Sequence, residues 1–444
     1  MVIKIIGCLG GILTALVASA VEFEQITPEQ AGFSGQKLSA IERRFDALYE
    51  SGRIPNYAIG LYTGKSRFYS KSKGTIEIDG GPNVGLDTIY PLASMTKPIV
   101  STAIMRLIQD GKLSLDSKLS DFYPEFRNMF VAPGGSFEAT FQEANREITI
   151  KDLLTHTSGF TYHTFVTGQG DVAKQYDDLL VFWLSSEDTM ERHMSTLSQI
   201  PLLAHPGETF TYSISVDVLG AVIEKVTGMR MGDYLQEIIF EPLGMKNSAF
   251  FVPESKLNNF AGYYQPLKGL NQSRGEASGN GVKTTQGATE WQIKKGSVFG
   301  NVVARKPPSF DSGGAGLYST INDYARYCAM ILNGGSIDGK EILNPQTLDL
   351  HLSDLTPQLT SADFGRDFGE GAAFMKFGGG YGIKYQGDSG SDADVDYYFW
   401  GGAFNTFFWI DRDNGHFGVF ATNHSPPQYN ISDDIEQIVD EAKL

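Results

Sequence analysis

The sequence is poor in cysteine and in positive charge, and after its first twenty residues it has no apolar run long enough to span a membrane. Of its two cysteines, Cys8 falls in the leader described below, so Cys328 has no partner for a disulfide within the mature chain and is expected to be a small buried residue. Lys and Arg total 36 against 52 Asp and Glu, a formal net charge of −16. Such a surface repels phosphate backbones, which argues against nucleic acid as a partner.

Several motifs of catalytic or cofactor sites are also missing. The seven histidines show no His-Glu-x-x-His spacing, so we expect no catalytic metal, and we expect no cofactor. The stretch at 334–341 lacks the Ser or Thr of a phosphate-binding loop and is interpreted as a turn. The acidic run Asp392, Asp394 and Asp396 lacks the glycine of a calcium loop and is interpreted as an exposed hairpin loop. No Gly-x-Ser-x-Gly nucleophile elbow occurs.

The first twenty residues predict a signal peptide. Lys4 is followed by an apolar stretch from Ile5 to Val17 and by Ala18-Ser19-Ala20, a small-residue cleavage site. The apolar stretch is short for a membrane span. We therefore predict an exported protein, periplasmic or secreted and without stable membrane insertion, whose mature chain is residues 21–444.

The order of elements in the mature chain predicts an α/β (α+β) fold. Strand-like runs at 57–63 and 66–73 come first, amphipathic helices dominate the middle, and strands return at 372–377, 381–385, 397–400, 406–411 and 415–421 before a helix at 431–442. This order suggests an antiparallel sheet flanked by helices, with sheet parts at about 21–95 and 312–444 and a helical insert at about 105–260. The Gly-, Ser- and Lys-rich stretch at about 261–312 is interpreted as a surface insertion.

Three Ser-x-x-Lys matches occur, and their contexts separate them. Ser70 and Lys73 lie on a strand, where positions three apart face opposite sides. Ser34 precedes a helix with no strand before it and is interpreted as an N-cap. Ser94 and Lys97 lie where a strand-like run meets an amphipathic helix at 95–111, so both fall on one helical face. A hydroxyl beside an amine at a helix start can form a nucleophile with a base at its side.

Two later stretches complete a constellation. Tyr212-Ser213 lies in a loop before a helix at 216–227, and Trp400-Gly401-Gly402-Ala403 lies on a strand whose small residues would let a substrate come close. Taken singly, the three stretches could be a helix cap, a packed aromatic and a strand bulge. Their appearance together in this order favours an acyl-transfer site.

With these motifs the chain resembles the serine β-lactamase-like hydrolases, which include class C β-lactamases, DD-carboxypeptidases and family VIII carboxylesterases. The stretches 153–159, 242–245 and 312–320 resemble scaffold signatures of that family. The resemblance implies a β-lactamase/transpeptidase-like fold with Ser94 as nucleophile, Lys97 and Tyr212 as base, and the N–H groups of Ser94 and Ala403 as oxyanion hole. Either Lys97 is a neutral amine, or Tyr212 is a phenolate beside an ammonium.

Two departures from the family bear on the substrate. Ile214 replaces the asparagine of the usual Tyr-x-Asn motif, and Trp400-Gly401-Gly402 replaces Lys-Thr-Gly, whose cation would bind a substrate carboxylate. An uncharged aromatic wall suits an apolar acyl group, so a family VIII-like carboxylesterase is favoured. A β-lactamase or D-amino-acid-specific peptidase, an acyltransferase and a penicillin-binding protein without turnover remain alternatives. The expected partner is a small ester or amide, and the oligomeric state stays open.

Overall fold

The computed structural model describes residues 22–77, 80–162, 170–185, 187–266, 291–294, 307–360, 363–364, 375–385, 395–424 and 431–444. The predicted signal peptide, most of the predicted surface insertion at 261–312, and Asp392 and Asp394 lie outside these residues.

The described residues contain eighteen strands, most of them short. In chain order they are β1 Glu24–Gln25, β2 Tyr57–Thr63, β3 Ser66–Lys73, β4 Thr75–Glu77, β5 Gly80–Asn83, β6 Tyr90–Pro91, β7 Phe130–Val131, β8 Gln142–Glu143, β9 Tyr263–Pro266, β10 Trp291–Lys294, β11 Tyr318–Ser319, β12 Ser336–Ile337, β13 Lys340–Glu341, β14 Met375–Phe377, β15 Gly382–Tyr385, β16 Val395–Gly402, β17 Thr406–Asp411 and β18 His416–Ala421.

Twelve α-helices are present in the same residues, and a π-helical turn, Gln236–Phe240, joins two of them (α8 and α9). They are α1 Gly35–Glu50, α2 Thr96–Gln109, α3 Leu119–Phe122, α4 Ile150–Leu154, α5 Gly170–Ser185, α6 Met190–Leu197, α7 Ser215–Thr227, α8 Met231–Leu235, α9 Glu241–Leu243, α10 Ile321–Leu332, α11 Pro345–Leu352 and α12 Ile431–Ala442. Short 3₁₀ turns lie at Glu29–Ala31, Ala93–Met95, Pro124–Phe126, Pro133–Gly135 and Glu254–Asn259.

The largest sheet has eight strands in the order β1-β3-β2-β18-β17-β16-β15-β14. All its neighbours are antiparallel except β1 and β3, which are parallel. The first and last parts of the chain meet at its centre, where Ala58 pairs with Ala421. The prediction of an antiparallel sheet flanked by helices is therefore confirmed.

Helices cover both faces of this sheet, as the alternation along β17 shows. Phe407 and Trp409 face one way, into a cluster with the apolar residues of α1 and α12. Phe408 and Ile410 face the other way, into the larger core formed with α2, α7 and α10. Because successive side chains of a strand point to opposite faces, a strand buried on both sides is apolar throughout, as β17 is.

The first long helix begins later than its apolar periodicity suggests. Periodicity places a helix over 27–48, but before α1 only Glu29–Ala31 are helical, as a 3₁₀ turn that ends at Gly32 with φ 84°. Ser34 then caps α1, its Oγ accepting the N–H of Lys37 at 3.3 Å. The N-cap interpretation of Ser34 is confirmed, as is the position of Ser70 and Lys73 on β3.

The described part of the chain has neither a membrane-spanning helix nor a cluster of metal-binding side chains. None of its helices is both long and apolar enough to cross a bilayer. The same residues contain no group of three or more His, Cys, Asp or Glu side chains arranged to hold a metal ion. Cys328 is buried in α10, as expected.

Candidate active site

Ser94 lies in the 3₁₀ turn that leads into α2. It is the one partly exposed residue in the otherwise buried stretch 91–100. Ala93, just before it, has φ 47°, an uncommon conformation for a residue with a Cβ. The turn is held from the side by Leu317, whose carbonyl accepts the Leu92 N–H at 2.9 Å and whose N–H donates to Thr96 Oγ1 at 3.0 Å. These bonds present the Ser94 side chain at the start of a helix, where N–H groups lack intrahelical acceptors.

Lys97 is brought directly to Ser94. Its Nζ lies 3.2 Å from Ser94 Oγ and donates to the Gly314 carbonyl at 2.7 Å. The side chain is only 1% exposed. The Nζ also lies over two aromatic rings, 4.5 Å from the centroid of Tyr212 and 5.4 Å from that of Tyr162. The structure thus brings together three predicted site residues: Ser94 and Tyr212 both contact the amine of Lys97.

The loop carrying Tyr212 is fixed on both sides by His156. The His156 carbonyl accepts the Thr211 N–H at 2.8 Å, and its Nδ1 accepts the Ser213 N–H at 3.2 Å. An Nδ1 that accepts must carry its proton on Nε2. Burial, reinforced by the charge of Lys97, lowers the pKa of His156 well below its ordinary value. The imidazole therefore stays neutral and holds the tyrosine loop in place.

The third predicted stretch reaches the serine turn through Gly402. A Cβ at Gly402 would come within 2.2 Å of the Leu92 carbonyl and 2.3 Å of Thr406 Oγ1. Thr406 donates to that same carbonyl at 3.1 Å. Gly401, Gly402 and Ala403 are partly exposed, as Ser94 is. Only a residue without a side chain lets the end of β16 lie this close to the turn.

Two details of this stretch differ from the sequence-based expectation. Ala403 was expected on the strand, but β16 ends at Gly402 and Ala403 begins a tight turn in which the Asn405 N–H donates to the Gly402 carbonyl at 3.0 Å. Trp400 was expected to form an uncharged aromatic wall of the site; its side chain is 4% exposed and packs against Tyr212 and Phe377, a setting that the sequence did not predict.

A buried carboxylate near the amine was not foreseen. Asp217, in the first turn of α7, accepts hydrogen bonds from Ser312 Oγ at 2.6 Å and Gly314 N–H at 3.0 Å on Oδ1, and from Tyr162 OH at 3.1 Å on Oδ2. An acidic residue in a first turn is ordinarily explained by the helix dipole. The sequence does contain one indication that Asp217 is buried near the site: it lies among apolar residues, five positions after Tyr212.

A partly exposed serine thus lies against a buried lysine at the start of a core helix, with a tyrosine over the amine and a glycine-edged strand alongside. A serine beside such a group can be activated as a nucleophile. The family model described as Beta-lactamase matches residues 41–441. The chain belongs to this family, and the prediction that it is an enzyme of the serine-hydrolase class is confirmed.

Individual relatives cover most of the chain at modest identity. Esterase EstB from Burkholderia gladioli is 28% identical over 407 residues, covering 87% of this chain and 91% of the relative. Lovastatin esterase from Penicillium rubens is 28% identical over 399 residues, covering 86% and 92%. Among solved structures, "EstCE1, a hydrolase with promiscuous acyltransferase activity" superimposes with a TM-score of 0.71 at 23% identity, covering 91% of this chain and 98% of that one. This last likeness is one of fold.

Proposed function

We propose that the protein is an exported carboxylesterase that uses Ser94 as nucleophile. The observation that carries the proposal is the 3.2 Å approach of Lys97 Nζ to Ser94 Oγ beneath the ring of Tyr212. A serine hydroxyl is a weak nucleophile until a neighbouring group takes its proton. The proposal is supported by the direct contact of Lys97 with Ser94, by the position of the Tyr212 ring over the amine, and by the partial exposure of the serine.

The reaction has two halves. Ser94 Oγ attacks the ester carbonyl carbon as its proton passes to the base, and the carbon–oxygen bond to the alcohol then breaks as the alcohol oxygen takes that proton. Water repeats the sequence on the acyl-Ser94 ester and releases the acid. The N–H groups of Ser94 and Ala403 would bind the oxyanion in both halves, and such donors are each worth about 3–4 kcal/mol in related chemistry.

An ester substrate is favoured over a lactam for two reasons. Trp400, uncharged and packed on Tyr212, stands where lactam-binding relatives are expected to have a cation for the substrate carboxylate. In addition, two relatives that cover most of the chain carry the name esterase. Uncharged, aromatic surroundings of this kind accommodate an apolar acyl group.

The test compares the mature protein with two serine variants. We expect hydrolysis of short-chain p-nitrophenyl esters, little turnover of a chromogenic cephalosporin or D-alanyl amides, and loss of ester turnover in Ser94→Ala. Ser70→Ala is the matched control, since Ser70 also heads a Ser-x-x-Lys sequence but lies exposed on β3. Unchanged turnover in Ser94→Ala would exclude the mechanism. Turnover of the cephalosporin alone would identify a β-lactamase, and acylation without turnover a penicillin-binding protein.

A further inference from the structure

The two turns that carry the proposed oxyanion donors lie against each other. One is the serine turn, residues 92–95, and the other is the hairpin turn, residues 402–405, which contains Ala403. They meet at the Leu92 carbonyl, because a Cβ at Gly402 would come within 2.2 Å of that oxygen. Ala93 and Ala403 also pack in one apolar cluster. The distance between the two turns therefore sets the distance between the two N–H donors.

Thr406 joins the two turns by a hydrogen bond. It pairs with Gly402 across the β16–β17 hairpin, and its Oγ1 donates to the Leu92 carbonyl at 3.1 Å. The same carbonyl accepts the Met95 N–H at 3.2 Å, the bond that closes the serine turn. Thr406 and Leu92 are 2% and 3% exposed. A hydrogen bond buried in this way is stronger than one in water.

The other bonds of each turn run to separate parts of the chain. In the serine turn, the Leu92 N–H donates to the Leu317 carbonyl at 2.9 Å. In the hairpin turn, Asn405 has φ 60°, a conformation that asparagine tolerates, and its Nδ2 donates to the His424 carbonyl at 2.8 Å. Each of these bonds holds one turn to its own support. The bond of Thr406 holds the turns to each other.

The position of two such donors matters more than their presence alone. Oxyanion donors act when they lie about 2.7–3.1 Å from the place where the negative oxygen forms. A misplacement of about 1 Å can cost about 10²-fold in rate. A single bond that fixes the spacing of the two turns can therefore have a large effect on the reaction without contacting the substrate.

We propose that Thr406 is a positioning residue of the oxyanion hole, whose hydroxyl fixes the spacing between the N–H groups of Ser94 and Ala403 by holding the Leu92 carbonyl. Thr406 acts through the two turns, and no bond or proton changes at its side chain during the reaction. The inference rests on the proposed function, with Ser94 as nucleophile and these two N–H groups as donors.

Kinetics distinguish this role from a purely structural one. A hydroxyl that only satisfies a buried carbonyl contributes to stability, and its loss leaves kcat of the folded enzyme unchanged. A hydroxyl that positions the donors contributes to kcat. Because the oxyanion forms in both halves of the reaction, acylation and deacylation should slow together and KM should stay about the same. Loss of a substrate contact would instead raise KM with kcat unchanged.

The experiment compares three substitutions of Thr406 on a p-nitrophenyl ester. Thr406→Ala removes the hydroxyl, Thr406→Val replaces it with a methyl group, and Thr406→Ser keeps it. We expect kcat to fall between about tenfold and about 10²-fold in the alanine and valine variants, less than the 10²–10³-fold that complete loss of a donor costs. KM should stay about the same, and Thr406→Ser should stay close to the wild type.

Thr63→Val is the matched control. Thr63 Oγ1 also donates to a backbone carbonyl, that of Gly415, at 2.8 Å. Thr63 pairs with His416, which pairs with Asp411 at the opposite end of β17 from Thr406. The control should therefore spare kcat. Urea unfolding of every variant shows that it is folded and compares the losses of stability.

Each outcome supports or overturns the assignment. Unchanged kcat in Thr406→Ala, or an equal loss in Thr406→Ser, overturns it and leaves Ser94 as nucleophile. An equal loss of kcat in Thr63→Val also overturns it. If Thr406→Val does not fold, the comparison of the alanine variant with the serine variant gives the same decision. Ester turnover that survives in Ser94→Ala removes the proposed function itself.

Discussion

The ring of Trp400 packs against the ring of Tyr212, their centroids 5.6 Å apart and their planes tilted by 52°. On its other side Trp400 meets the edge of Phe377 at 5.2 Å. The tryptophan on β16 thus supports the tyrosine loop directly. If Trp400 corresponds to the cationic residue of the Lys-Thr-Gly motif, the exchange changes how Tyr212, a proposed base, is held as well as which substrates bind.

This contact predicts a joint loss of stability and rate in Trp400→Ala. Truncating a buried Trp costs about 3–5 kcal/mol, and the freed ring of Tyr212 should lower kcat. Urea unfolding and ester kinetics measure the two effects. Trp409→Ala is the control, because Trp409 is equally buried but faces α1 and α12 across the sheet. It should cost similar stability and spare kcat, and an equal loss of kcat would contradict the assignment.

A second prediction concerns the close approach of β16 to the serine turn. Gly402→Ala would force a methyl group against the Leu92 carbonyl at 2.2 Å, so the two proposed oxyanion donors should separate. We expect kcat to fall by about 10²-fold or more, as when one such donor is lost. Gly401→Ala should retain more activity, because its Cβ would meet nothing nearer than 3.4 Å. Similar losses in both variants would argue against this account.

Lys97 and Asp217 both bond to the Gly314 peptide, and the charge of Lys97 acts to lower the pKa of Asp217. This relationship predicts a stability cycle that needs no substrate. Lys97→Met leaves a buried carboxylate uncompensated and should lower the free energy of unfolding by about 3–5 kcal/mol at pH 7. Adding Asp217→Asn should then restore part of the loss. Adding Asp323→Asn should not, because Asp323 is a buried carboxylate in the first turn of α10, where it accepts the Asn247 N–H at 2.6 Å. Urea unfolding of the single and double variants measures the coupling. Simple additivity in both cycles would show that the two charges do not interact.

A fourth prediction concerns acid stability through His351, which is fully buried behind α2 with its Nε2 3.0 Å from Thr102 Oγ1. Burial lowers the pKa of His351 from 6.5 to about 3. Between these values the unfolded chain binds a proton that the folded chain refuses, so acid favours unfolding. This contribution is intact above pH 6.5 and falls by about 1.4 kcal/mol per pH unit below it.

His351→Gln removes this proton uptake while keeping a donor for Thr102. We expect the variant to lose about 2 kcal/mol less stability than the wild type between pH 7 and pH 5. Urea unfolding at both values, with pH 8 as the internal reference, measures the difference. An equal loss in the two proteins would contradict the prediction.

Local sequence patterns predicted most helices and strands. The features that they did not predict depend on pairing between distant parts of the chain. The helix at 431–442 and the strands at 57–63 and 66–73 were predicted with the observed bounds, because strong periodicity reflects burial against a sheet. The strand β1, two residues long, has no pattern of its own and exists because β3 offers it an edge. No periodicity indicates that β2 pairs with β18.

In the candidate site, too, local patterns predicted some residues, whereas others depend on distant parts of the chain. Ser94 and Lys97 were predictable because helical spacing brings them together, and Tyr212 and Gly402 because they match a known order of motifs. Asp217 was not, since the residues that hold it beside the site, Ser312 and Gly314, lie nearly a hundred residues later in the chain. Trp400 was predicted as an aromatic wall of the site, but its packing between Tyr212 and Phe377 was not predicted, because sequence does not show which face of a strand is covered.

The pairing of β2 with β18 has a consequence for when the protein can fold. Residues 57–63 remain without their central partner until residues 416–421 have been synthesised, so the ribosome must produce nearly the whole chain before the sheet can close. Contacts of such sequence separation form slowly. The pairing that brings both ends of the chain to the centre of the sheet therefore also delays completion of the sheet until synthesis is almost finished.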